Sequence, residues 1–187
     1  MENYLIHDKI KGFDLTFKTG VGVFANKKID EGTKMLLEAI EIRAGDRVLD
    51  LGCGYGVVGI VASRLAKFGG VVLADANIKS IRLAEENVRL NGVANAKVIL
   101  SDGLKDIPKM EFDIIISNPP IHVGLGVFEE FAKDSFNFLK RGGKIYFVSQ
   151  ERLGPAVERL FKEVFGNYQL VRKERGYIIS LAVKETK

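Results

Sequence analysis

Apolar residues along this chain fall into two recurring patterns. Short unbroken runs such as Ile114-Ile115-Ile116 and Val71-Val72-Leu73-Ala74 suit strands of a sheet covered on both faces. Between them lie longer stretches in which apolar residues return every three or four positions, as on one side of a helix. From Arg47 onward the two alternate. The pattern predicts strand 47–51, a helix from Gly56 to Lys67, strand 70–75, and a helix from Ile78 to Leu90 stopped by Asn91-Gly92. Strands 96–101 and 112–117 follow, then a helix from Phe128 to Leu139 leaving through Arg141-Gly142-Gly143. Strand 144–149, a helix from Pro155 to Val164 and strands 168–173 and 177–183 complete the series.

Upstream, alternating residues in Phe13–Phe17, a Gly-rich turn and Val21-Gly22-Val23-Phe24 predict a short hairpin. Asp30-Glu31-Gly32-Thr33 opens a helix reaching Glu41, with Met35, Leu36, Ala39 and Ile40 on one side. Repeated strand–helix units imply an α/β fold with a mostly parallel sheet between layers of helices. The last two strands are joined by Lys173-Glu174-Arg175-Gly176, enough for an antiparallel hairpin and too short for a crossover. Seven core strands, the last reversed, are therefore expected.

A length of 187 residues fits a single domain over 1–187, with residues 1–45 packing over the ligand side of a core at 46–187. The balance of 47% apolar and 28% charged residues is that of a globular protein, with no apolar run long enough to cross a bilayer. Met1-Glu2-Asn3-Tyr4 lacks a signal-peptide pattern, and the expected location is the cytoplasm. One cysteine, Cys53, excludes an intramolecular disulfide framework and a multi-Cys zinc site; it reads as a small buried filler, and no metal is expected. A net charge of +4 permits nucleic acid as a partner without demanding it. The clusters Lys27-Lys28, Lys140-Arg141 and Arg172-Lys173-Glu174-Arg175 read first as solvated surface.

Two stretches carry candidate chemistry. In Asp113-Ile114-Ile115-Ile116-Ser117-Asn118-Pro119-Pro120-Ile121-His122, two prolines end a buried strand abruptly. That fixes an Asn side chain and nearby carbonyls at the carboxyl end of a strand, where open α/β sheets bind ligands. An Asn oxygen and a backbone carbonyl are both acceptors, a pair suited to an –NH2 group; the alternative is a plain strand-ending turn. Upstream, Asp50-Leu51-Gly52-Cys53-Gly54-Tyr55-Gly56 occupies the first strand-to-helix turn, where glycines let the backbone approach a ligand. Asp75 ends the next strand, 19 residues after Gly56, placed to accept from both ribose hydroxyls of a nucleoside.

Gly54-x-Gly56-x-x-Gly59 also matches the dinucleotide fingerprint, which makes a nicotinamide-dependent dehydrogenase the rival. Asp50 counts against it, since a carboxylate there repels a pyrophosphate and welcomes an ammonium. None of the five tyrosines has a lysine four residues later, and the chain is short for a separate substrate domain.

Asp50-x-Gly52-x-Gly54-x-Gly56, followed by Asp75 and Asp102, resembles the class I S-adenosylmethionine-dependent methyltransferases, and the similarity extends over nearly the whole chain. The resemblance implies a Rossmann-like, seven-stranded mixed sheet with the last strand antiparallel. Joined to Asn118-Pro119-Pro120, it implies methylation of an amino nitrogen conjugated to a π-system. Asn118-Pro119-Pro120-Ile121-His122, together with Gly22-Val23-Phe24 and Asp30-x-Gly32-Thr33, is most similar to the small-subunit ribosomal RNA guanine-N2 methyltransferases. Two departures stand out. This chain lacks the duplicated, inactive N-terminal half of the bacterial relatives, and Ile121 replaces an aromatic residue found in many adenine and glutamine enzymes. Stacking on the target then falls to Phe24, Tyr4 or His122.

By that resemblance the cofactor is S-adenosyl-L-methionine and the partner RNA, ribosomal or transfer. Asp50 would hold the methionine ammonium, and Gly52, Gly54 and Gly56 would pass beneath the cofactor. Asp75 would take the ribose, and Asp102 the adenine amino group with backbone help from Gly103. Asn118 would face both cofactor and substrate, its oxygen and the Pro119 carbonyl accepting from the target amine while Pro120 shapes the turn. His122 would steer the base or receive the proton, with a structural loop role as its alternative; His7 has no assigned role. The glycines of His122-Val123-Gly124-Leu125-Gly126 suggest a loop that can move when substrate enters. The other function classes are a protein-glutamine or small-molecule N-methyltransferase and a non-catalytic RNA-binding module.

Overall fold

A computed structural model describes residues 3–20, 28–119 and 124–185. The apolar runs form the centre of one seven-stranded sheet: β3 (Val48–Leu51), β4 (Val71–Asp75), β5 (Ala96–Leu100), β6 (Phe112–Ser117), β7 (Leu139–Gln150), β8 (Gln169–Glu174) and β9 (Tyr177–Val183). Their order is β5-β4-β3-β6-β7-β9-β8. Pairings from β5 to β7 are parallel, while β9 lies antiparallel between β7 and β8. Six strands therefore share one direction and the last is reversed, as expected from the short final link.

Two apolar layers sandwich the sheet. On one face Val48, Ile114, Ile116 and Val148 meet α1 (Glu31–Ala39) and α2 (Val57–Leu65), with α3 (Ile78–Leu90) alongside. On the other, Leu49, Ile115 and Phe147 pack against α4 (Leu125–Phe138) and α5 (Gly154–Phe165). Alternate residues of each central strand feed opposite layers, which is why the runs are apolar without a break.

The N-terminal hairpin differs from expectation. It pairs β1 (Asn3–Ile10) with β2 (Phe13–Gly20) through Lys11 and Gly12, both at positive φ (51° and 85°), as a two-residue hairpin turn requires. The expected partner strand, Val21–Phe24, lies outside the described residues. A Lys-Gly turn is a weaker local signal than Asn-Gly. Phe17 and Leu15 bury one face of the hairpin in the layer with α1 and α2. Its edge is satisfied by side-chain amides of the α3 end: Asn87 Oδ1 accepts from Lys18 N at 2.7 Å and Asn91 Oδ1 from Thr16 N at 3.0 Å. Asn87 and Asn91 return N–H bonds to the carbonyls of Lys18 and Thr16, each at 2.8 Å. The hairpin thus sits on α3, and among the described residues of 1–45 Asp30 and Thr33, at the start of α1, line the cavity.

The Gly142-Gly143 step also differs from expectation. The helix before it ends at Phe138, and the chain turns straight into β7, where Leu139 is fully buried and pairs with Phe112. The two glycines therefore kink a strand rather than terminate a helix, and Gly142 has φ of 77°. No described helix is long and apolar enough to cross a membrane.

Candidate active site

A cavity of about 500 Å³ opens at the carboxyl ends of β3, β4 and β6, beside the point where the strand order reverses. Its floor is the loop from β3 to α2. Gly52, Gly54 and Gly56 all adopt positive φ (77°, 56° and 96°), which a side chain would strain. Gly52 N and Cys53 N bond the Ala74 carbonyl at 2.8 and 2.9 Å, holding the loop against β4. Gly59, the third glycine of the fingerprint, serves packing: a Cβ there would lie 2.3 Å from Leu73 Cγ.

Asp50 is 3% exposed, and its Oδ2 accepts from Gly59 N at 2.8 Å. Burial raises its carboxyl from 3.8 to about 7, against the lowering effect of that bond and with help from Asp75. Asp75 closes β4, its Oδ2 accepting from Gly54 N at 2.9 Å and its Oδ1 from Asn77 N at 2.8 Å. Burial raises this carboxyl too, outweighing both bonds. Cys53 is a buried lining residue whose thiol is pushed up, first by burial and then by Asp50 and Asp75; it is no ready thiolate. Asp102 stands at the exposed rim, paired with Lys105 at 2.5 Å, and next to it Gly103 has φ of 61°.

Across the cavity, Ser117 Oγ donates to the Leu51 carbonyl at 2.7 Å and ties the end of β6 to β3. Asn118 and Pro119 follow and line the same space. The structure therefore brings Asp50, Gly52, Gly54, Asp75, Asp102, Gly103, Asn118 and Pro119 together. Gly56 shapes the loop as the N-cap of α2. Pro120, Ile121 and His122, with the stretch Gly22-Val23-Phe24, lie outside the described residues. Tyr4 is on β1, apart from the cavity lining, and His7 bonds Thr16 Oγ1 across the hairpin at 2.9 Å.

Several further residues line the cavity without a local motif that marks them as ligand-facing. Asp30 and Thr33 arrive from the start of α1, and Val127, Glu130 and Phe131 from α4. Asp30 and Thr33 were visible as a helix start; their proximity to Asn118 joins positions over 80 residues apart, which no local pattern encodes. The aromatic edge of Phe131 faces Gly103, 3.6 Å from where a Cβ would stand, and makes an apolar wall beside Asp102.

Electrostatically the cavity has one sign. Asp30, Asp50, Asp75, Asp102 and Glu130 line it, and no described Lys or Arg does. That suits a cationic ligand with hydroxyl and amino groups and disfavours a pyrophosphate, against the dehydrogenase reading. The fingerprint glycines thus serve loop geometry and helix packing. No described group of His, Cys, Asp or Glu is arranged to hold a metal ion. The basic run near the C-terminus is spent on ion pairs: Arg172 with Glu38 and Glu174, Lys173 with Glu151, and Arg175 with Glu31, at 2.5–2.6 Å. Lys140 pairs with Asp113 at 2.8 Å.

A family profile described as the methyltransferase small domain matches residues 14–180. The chain belongs to that family. Among its relatives is YbxB of Bacillus subtilis, 32% identical over 94% of this chain and 89% of that protein. Ribosomal RNA small subunit methyltransferase C of Shewanella pealeana is 37% identical over 88% of this chain and 48% of its own length. In three dimensions the chain is similar to the 16S rRNA N2 G1207 methyltransferase of Thermus thermophilus, solved with AdoMet and guanosine. The TM-score there is 0.90 at 30% identity, over 98% of this chain and 51% of that one. The chain thus spans about half the length of these two ribosomal RNA methyltransferases.

Proposed function

We propose that this family member is an S-adenosylmethionine-dependent methyltransferase acting on an exocyclic amino group of RNA, guanine N2 foremost. One observation carries the reading. A single cavity joins a carboxylate-lined glycine loop, fit for a cationic nucleoside, to an Asn-Pro turn that offers acceptors. The likeness to a guanine-N2 enzyme holding AdoMet and guanosine supports both halves of the site.

The residues present fit that cofactor. Asp50 is a buried carboxyl with no cationic partner among the described residues, and an ammonium beside it would return it to the ionised form. Asp75 is held by two backbone N–H groups and keeps lone pairs for ribose hydroxyls. Asp102 and Gly103, beside Phe131, form a pocket for the adenine. When bound, the cofactor supplies a methyl group on a sulfonium whose positive charge is lost on transfer.

The work left to the protein is orientation. The lone pair of an amine on an aromatic ring is delocalised and attacks poorly. Accepting its two N–H bonds, at Asn118 Oδ1 and the Pro119 carbonyl, returns electron density to nitrogen and aims the lone pair. The proton then leaves the methylated nitrogen, with His122 the candidate to receive it. This reading places the protein with ribosomal RNA in the cytoplasm.

The test is to digest ribosomal RNA from a strain lacking the gene and from its parent, and compare nucleosides by mass spectrometry. One N2-methylguanosine should be missing from the first and restored by purified protein with S-adenosylmethionine. Identical profiles, or methyl transfer only to protein or small molecules, would refute the RNA assignment.

A further inference from the structure

We infer that Asp30 and Thr33 are positioning residues that lock the Asn118 amide with its nitrogen toward α1 and its oxygen toward the cavity. This rests on the proposed role of Asn118 as acceptor for the target amine, and extends it to the residues that make Asn118 an acceptor.

A primary amide has two ends of nearly equal shape, one donating and one accepting, so its neighbours decide which faces where. Asn118 Nδ2 donates to Thr33 Oγ1 at 2.9 Å and to Asp30 Oδ2 at 3.3 Å. The Thr33 hydroxyl spends its proton on Asp30 Oδ2 and so presents lone pairs to Asn118. Asp30, when ionised, can only accept. Both partners therefore demand the –NH2 end. Reversed, Asn118 Oδ1 would meet two acceptors at hydrogen-bond distance, and an –NH2 would face the N–H groups of the target. The arrangement removes the orientation that blocks substrate.

The lock is itself anchored. Asp30 is the N-cap of α1, with Oδ1 accepting from Thr33 N at 3.2 Å. Thr33 is 7% exposed. Gly32 between them lets α1 press on the sheet, since a Cβ there would stand 3.0 Å from both the Tyr177 ring and Val148. The amide orientation is thus set from the sheet through α1, before any ligand arrives. Preorganisation of this kind favours the transition state because no dipole has to turn during reaction.

Asp30→Asn and Thr33→Val test it. Asn is as good an N-cap as Asp, so the first keeps α1 while offering Asn118 either hydrogen-bonding sign. The second removes the hydroxyl at constant shape, and Thr33→Ser restores it. Single-turnover methyl transfer from labelled S-adenosylmethionine to ribosomal RNA from the deletion strain is compared with cofactor isotherms and melting curves. At saturating cofactor, Asp30→Asn and Thr33→Val should each slow transfer about tenfold, less than loss of a transition-state hydrogen bond itself, and the uncharged Thr33→Val change should keep cofactor affinity within about twofold of wild type. Thr33→Ser should recover most of the rate, and in an Asn118→Ala background Asp30→Asn should add no further loss. If Asn118→Ala transfers normally, the acceptor reading falls and the lock with it. If Asn118→Ala is crippled while Asp30→Asn and Thr33→Val match wild type, or if the Asp30→Asn loss is equal in both backgrounds, the lock alone is overturned. Should Asp30→Asn fail to fold, Thr33→Val against Thr33→Ser decides by the same criteria.

Discussion

At the cavity floor the Asp50 carboxyl is nearly sealed from water, which gives the site a pH signature. Its proton leaves near pH 4 in the unfolded chain and only near 7 in the folded one. Between those values the folded state holds a proton the unfolded state has lost, so this group's contribution to stability falls as pH rises from about 4 to 7. A bound ammonium reverses the preference. Cofactor affinity should weaken on acidification from pH 7 to 5.5, by at most about tenfold per unit, and Asp50→Asn should flatten that slope. Titration calorimetry across the range reads it; a pH-independent wild-type affinity would contradict the role. Asp75 has a plainer test. Removing a charged acceptor costs roughly 1–3 kcal/mol, and Asp75→Ala should lose that much cofactor affinity by calorimetry. Unchanged binding would exclude the ribose contact.

Among the elements, contact between α2 and β4 governs how well the glycine loop is held. Gly59→Ala adds a methyl 2.3 Å from Leu73 Cγ in a packed layer. Overpacking of this sort costs about 1–3 kcal/mol, more than the roughly 1 kcal/mol by which alanine favours a helix over glycine. The denaturant midpoint should fall accordingly; a rise would mean that helix propensity outweighs the close approach. Elements with strong local patterns were legible from the residues alone. Ile78–Leu90, bounded by an Asn cap and Asn91-Gly92, matched end to end, and Phe112–Ser117 was fixed by its isoleucines and prolines. Where tertiary contacts decide, local pattern failed. The described hairpin partner of β2 is β1, the other edge of β2 is bonded by α3 amides, and β7 starts early because Leu139 is drawn into the core.

For the molecule as a whole, the alternation of strands and helices and the short last link determined the sheet, including the reversed strand. Part of the cavity lining was legible as well, because a glycine loop and strand-end acids are visible within a few residues. Asp30, Thr33, Val127, Glu130 and Phe131 reach the cavity through α1 and α4, and only packing of the layers brings them there. The charge pattern also changed meaning on folding. The basic run at 172–175 binds neighbouring acids, while Asp30, Asp50, Asp75, Asp102 and Glu130 gather around the cavity. The central claim, that Asn118 accepts from the amine being methylated, is tested most directly by one comparison. Asn118→Ala should keep near-normal cofactor affinity by calorimetry while single-turnover transfer to ribosomal RNA falls on the order of 100–1,000-fold. Near-normal transfer by Asn118→Ala would contradict the account and reduce the Asn-Pro segment to a strand-ending turn.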